Sequence, residues 1–453
     1  MSRLRRVLCF ATLSVSVISR VAAAQQPETR SWVREIRDSA QSALVHTPGL
    51  WVVVVDRGQI VVSEALGKAS MIGPTPLTRE TLVRMAGPGE LSINLALRRL
   101  SDLGKLDLNA PISRYVRVHP ALGRVTAAQL IGHKAGLRAK HFTTTLWQDA
   151  DLSRQVRSWD ERVFVAEPGE ARSHSHYSIA LAGYLVESIV GKPFPDAMRE
   201  LVWGPMGVAS GSTRIADVLS SPLAQGHGLN SGVFEVIRPL GQGFIGWPNA
   251  PFLSLDGLDR FALALADPTT GAQAFDESNV NSRTNNWGWG GIAFTTIVDR
   301  ERRFCALIVY NAPAGERSML AETIKRSALG ETPSPPPAAI SWTPVSPRDR
   351  ERLIGVFENE NTLRISVRDG KLVMQSGDSV AAVEQGGDNL FRAPLTIIDG
   401  TPVRLSTFSV EASREGKARL LRIGGRVWAR KPSASRCLLQ SGDCGSALRA
   451  HLI

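Results

Sequence analysis

A chain of 453 residues is long enough for two or three domains, and at 43% hydrophobic and 21% charged it can bury a sizeable core, which excludes a disordered chain. The formal net charge of +11 is spread along the sequence with no basic stripe interleaved with aromatics, which argues against a nucleic-acid partner.

The first stretch joins an arginine-bearing start, an apolar run from Val7 to Ile18 and an Ala22-Ala23-Ala24 end, the pattern of a signal peptide over residues 1–24. Losing Arg3, Arg5, Arg6 and Arg20 with it lowers the formal charge by four, to about +7. No later apolar run approaches the ~20 residues of a membrane span. The expectation is an exported protein, periplasmic or secreted, with no integral membrane segment once the leader is gone.

Two β-rich runs in "LWVVVVDRGQIVVSEALG", divided by Asp56-Arg57-Gly58, predict a hairpin. Leu91, Leu95, Leu97, Leu100 and Leu103 follow helical spacing, with Pro88 at the first helical position and Gly104 as a stop, so a helix launched from Gly87 is predicted. "YSIALAGYLVESIVG" reads as a second helix, "LDRFALALA" as a third, and "GIAFTTIVDRERRFCALIVYNA" as a second hairpin of long strands that contains Cys305. Strands at both ends with helices between them predict an α+β domain, an antiparallel sheet packed by helices, over residues 25–331.

Residues 332–347 are proline-rich, as an extended linker would be. Short alternating runs divided by Arg368-Asp369-Gly370 and Arg414-Glu415-Gly416-Lys417 then predict a small β-meander or barrel over 348–432. In the tail at 433–453, Cys437 and Cys444 could pair in an oxidising compartment.

"TAAQLIGHKAGL", "AEPGEARSHSHYSIALAGYLVESIVGKPF", "LVWGPMGV" and "WGWGGIAFTTIVD" occur in an order that resembles the serine β-lactamase-related family, which includes class C β-lactamases, penicillin-binding-protein-like peptidases and carboxylesterases. The resemblance runs from about Trp32 to Asn311. It implies the β-lactamase/penicillin-binding-protein fold with a helical subdomain, followed here by an all-β domain.

The family's chemistry needs a serine and a lysine one helical turn apart, because serine at its free pKa is a weak nucleophile. By the resemblance those positions fall on Gly87 and Glu90, and no SxxK occurs in the chain. The tyrosine and asparagine of the second motif fall on His174 and His176, with Tyr177 out of register. The third motif survives as Trp289-Gly290-Gly291, followed by Ile292, whose backbone amide the family pairs with that of the nucleophile residue, here Gly87, to hold an oxyanion.

No standard catalytic residue is therefore expected. The leading expectation is a non-catalytic relative that binds a small-molecule, peptide, cell-wall or carboxylate ligand through Gly87, Trp289, Gly290, Gly291 and Ile292, with no cofactor. The alternative is an active hydrolase or esterase built on Glu90, His174 and His176, two imidazoles and a carboxylate being a metal-binding set. An unrecognised nucleophile nearby, such as Ser92, Ser173 or Ser175, would have no lysine in place to activate it. His133 reads as a packing residue near a helix end, and Trp289 either lines the cleft or caps the core. Oligomeric state is left open.

Overall fold

All eight residues of the strand Gly49–Asp56 are buried, so its apolar run is continuous rather than alternating. The alternation reappears in which hydrophobic cluster each side chain joins. Trp51, Val53 and Val55 face one hydrophobic cluster, and Leu50, Val52 and Val54 face another, as the two-residue period of a strand requires. The computed structural model describes residues 31–85, 87–139, 151–237, 251–270, 284–289, 291–313, 317–332, 339–359, 361–395 and 406–431. The expected leader, Gly290, Cys437 and Cys444 lie outside the described residues.

The strand is the third of six in an antiparallel sheet that runs Thr75–Pro76, Gln59–Ser70, Gly49–Asp56, Phe304–Tyr310, Ile292–Asp299, Thr284–Trp289. The predicted hairpin turns at Arg57 and Gly58, both with positive φ (53° and 76°), as a two-residue type I′ turn demands. Against one face lie helices Ser31–Ala43 and Arg317–Ile324, which contribute Ile36 and Ile324. Against the other lie the helical segments, including Gly87–Asp102, His176–Val190 and Leu255–Ala266. Sheet between helical layers is the predicted α+β architecture. Cys305 sits at its centre, fully buried, its thiol pushed up to about 12 by burial.

The Gly87 helix buries Leu91, Leu95, Leu97 and Leu100. Leu103, expected on the same face, is 51% exposed because the helix ends at Asp102 and the chain turns there. The third predicted helix extends from Leu255 to Ala266 with Ser254 as its cap.

The C-terminal region is a curled antiparallel sheet of ten strands. Its first long strand, Gly355–Glu358, pairs with its last, Arg426–Arg430, so the meander wraps around a core that includes Phe357, Phe391, Phe408 and Trp428. Thr343 and Pro344, in the stretch expected as linker, form its edge strand by pairing with Gln385 and Glu384. Among the described residues no helix is long and apolar enough to cross a membrane.

Candidate functional site

Glu90 lies in the first turn of the Gly87 helix, where a carboxylate is favoured by the helix dipole. Its side chain is nearly buried, and both oxygens face imidazoles: Oε1 is 2.9 Å from His174 Nε2, and Oε2 is 3.5 Å from His133 Nε2. The rings of His133 and His174 stand 5.0 Å apart, centroid to centroid. Three segments far apart in sequence thus converge on one carboxylate.

Each histidine is held by its backbone. His133 follows the short helix Ala127–Ile131, whose start is fixed by a reciprocal Thr126/Gln129 cap. It adopts φ 53°, a left-handed conformation that histidine tolerates better than most side chains, and its carbonyl accepts from the Ser173 amide at 2.8 Å. The next residue, His174, donates its own amide to the Gly425 carbonyl at 2.9 Å. The C-terminal β-domain therefore touches the backbone of this cluster.

His176, which the sequence grouped with Glu90 and His174, is placed differently. As the first residue of its helix it is buried with Nδ1 3.4 Å from the Ala139 carbonyl, and its ring meets the edge of His174 at 5.0 Å. Its place beside Glu90 is taken by His133, read from sequence as a packing residue. The physical reason is the helix start: Ser175 caps it, so residue 176 begins the helix against the 138–139 loop while residue 174, before the cap, reaches Glu90 on the Gly87 helix.

On the edge strand, Trp289 pairs with Ile292 across the tight turn, and Ile292 itself is buried in the core. Gly291 has φ 73°, and a Cβ on it would lie 2.4 Å from the His227 amide nitrogen. The glycine is thus required by the approach of the His227 backbone, a role apart from the ligand approach expected of it. His227 is fully buried, with Nδ1 2.8 Å from the Asn311 carbonyl and Nε2 accepting from the Met71 amide at 3.1 Å, the neutral tautomer. Burial pulls its pKa below the ordinary 6.5, against the Asn311 carbonyl that favours the proton.

With the folded-state pKa depressed, the unfolded chain binds the extra proton first. This contribution to stability is complete above about pH 6.5 and is lost as pH falls from there toward the folded value. Denaturant titrations at pH 7.5 and 5.5 should show a larger acid loss for the wild type than for His227→Asn. Equal losses would rule His227 out as the sensor.

The beta-lactamase family profile matches residues 37–329, well over half of the chain. The chain belongs to the beta-lactamase family. It is 25% identical to esterase EstB of Burkholderia gladioli over 55% of this chain and 76% of that protein. It is 33% identical to the serine beta-lactamase-like protein LACTB of Homo sapiens, in a match that covers 34% of this chain and only 29% of that protein. In structure it is similar to SurE, with a TM-score of 0.69 at 18% identity over 88% of this chain and 99% of that one. A class C beta lactamase from Rhodobacter sphaeroides gives 0.51 at 17% identity over 64% and 99%.

Acyl transfer of the beta-lactamase kind requires an activated serine, and Ser92, Ser173 and Ser175 are engaged otherwise. Ser92 Oγ donates to the Gly89 carbonyl at 2.6 Å inside its own helix. Ser173 Oγ accepts from the Val427 amide at 3.1 Å. Ser175 Oγ caps the His176 helix and donates to the Arg138 carbonyl. All three are buried. Tyr177 packs at 4.6 Å on the Trp159 ring, and burial raises its pKa, so its hydroxyl stays protonated.

Proposed function

We propose that this chain is an exported beta-lactamase-family protein that has given up serine acyl transfer and uses its cleft to bind a peptide, cell-wall or other carboxylate ligand. The observation that carries the reading is the state of Glu90: at the position where the family resemblance puts the lysine base stands a carboxylate held between two imidazoles. A carboxylate there cannot supply the ammonium/amine pair that draws a proton from serine, and position 87 has no hydroxyl to give one. The signal-peptide pattern of residues 1–24 supports export.

A second reading is favoured by one contact. The 2.9 Å Glu90–His174 pair has the geometry of a carboxylate-oriented general base, and a hydrolase could activate water with it. Purified protein should leave nitrocefin and p-nitrophenyl esters intact and take no label from a fluorophosphonate probe. Covalent labelling would overturn the proposal outright. Turnover abolished in His174→Gln but kept in Ser92→Ala would replace it with the water-activating enzyme.

A further inference from the structure

We propose that Glu90, His133 and His174 form a three-ligand site for a divalent transition metal of the zinc type, with the fourth position open to water or to an oxygen of a bound ligand. One donor atom from each residue lies within 4.8 Å of the others. A tetrahedral ion with bonds of about 2.1 Å needs its ligand atoms about 3.4 Å apart; His174 Nε2 stands 2.9 Å from Oε1 of Glu90 and His133 Nε2 3.5 Å from Oε2, so each imidazole already lies near that range from one of the two carboxylate oxygens. With the three donor atoms within 4.8 Å of one another, side-chain adjustment is what would close the set onto one ion.

The donor chemistry narrows the ion to a first-row transition metal. Two imidazole nitrogens with one carboxylate suit zinc, cobalt or nickel, whereas calcium and magnesium take oxygen ligands. One carboxylate against a doubly charged ion leaves a net positive centre, which would draw an anionic ligand atom into the fourth position.

The backbone that carries the three ligands is braced. Glu90 is fixed on a helix, and the two histidine-bearing segments are stitched together by the Ser173 amide and the His133 carbonyl. The Gly425 carbonyl holds the His174 amide from the neighbouring domain. These bonds fix the backbone positions from which both imidazoles reach Glu90. His176, with its Nδ1 directed at Ala139, belongs to the packing around the site and not to the ligand set.

The test uses the full chain with any affinity tag removed, stripped with chelator and titrated with zinc, then with cobalt as a visible reporter. Uptake of one equivalent and a tetrahedral cobalt spectrum are expected. Glu90→Gln, His133→Gln and His174→Gln should each weaken binding by more than the ~10–100-fold that loss of an outer partner costs, while His176→Gln binds as the wild type does. Far-UV circular dichroism checks that the variants are folded, and the wild-type cobalt spectrum reports nitrogen ligation even if one of them is not. Substoichiometric uptake, or unchanged binding in His133→Gln, overturns the site. The inference stands apart from the loss of acyl chemistry: a failed titration leaves that reading intact, and probe labelling would sink that reading without touching the metal site.

Discussion

Replacing Asn311 with alanine is expected to lower the stability of the beta-lactamase-like domain by about 2–5 kcal/mol, because two buried groups lose their partner together and a cavity is left. Asn311 is fully buried at the end of the strand Phe304–Tyr310. Its Oδ1 accepts from the Gly49 amide at 2.7 Å, and its Nδ2 donates to the carbonyls of Lys68, at 2.9 Å, and Ala69, at 3.3 Å. One amide thus ties together the starts and ends of three neighbouring strands.

Alanine leaves the Gly49 N–H and the Lys68 carbonyl facing a space that had been filled, and each unmet buried group costs about 1–3 kcal/mol, while the Ala69 carbonyl keeps the Gln225 amide at 2.9 Å. Asn311→Asp is no rescue, since a carboxylate would confront the two carbonyl oxygens that the Nδ2 hydrogens now satisfy. The measurement is the guanidinium midpoint of the wild type and both variants at pH 7.5, with the slope checked for constancy. A drop under about 1 kcal/mol in Asn311→Ala would show that water satisfies the site and that the amide is not the clasp described.

The segments with a strong local signal were legible in the sequence. The Gly87 helix carries its own start, its own stop and an apolar stripe, and the first hairpin carries a turn that needs positive φ at Arg57 and Gly58. Local rules decide such elements, so the structure had little to correct beyond Leu103, which the pattern continued past the end of the helix. The order of motifs then supplied the family.

The cluster was only half legible. Glu90 and His174 could be placed by register with the family's motifs, but whether residue 174 or 176 turns toward the Gly87 helix depends on which residue caps the next helix. His133 was missed for a related reason: its position comes from a left-handed turn after a very short helix, and no periodicity reports that. The available signal was a histidine framed by Gly132 and Gly136, a composition typical of a chain reversal. Contact between the β-domain and the His174 segment was not legible at all, since strand patterns state which face is buried and never against what.

That contact should be severed most sharply by Asn359→Ala. Asn359 is buried between the domains, where Oδ1 accepts from the Ala139 amide at 2.8 Å and Nδ2 donates to the Val427 carbonyl at 2.6 Å. Ala139 belongs to the loop whose carbonyls receive Ser175 and His176, and Val427 is the residue whose amide binds Ser173. The side chain therefore spans both supports of the segment that presents His174. Around it, Val165, Ala166 and Ala171 pack on Leu420 and Val427, and Glu170 pairs with Arg419.

Removing the amide leaves one donor and one acceptor unmet at about 1–3 kcal/mol each, so a loss of about 2–4 kcal/mol is expected, more than the apolar patch of five small and medium side chains can easily absorb. The domains would part locally before either unfolds, since the six-stranded and ten-stranded sheets have separate cores. Amide hydrogen exchange is the decisive readout. Protection at Ser173, His174 and Val427 should fall by at least about tenfold, as a local loss of about 1.4 kcal/mol or more requires, while the strand Gly49–Asp56 keeps its protection. If the variant lost stability yet retained protection over residues 171–176, the β-domain would be a passenger on the His174 segment and not its brace.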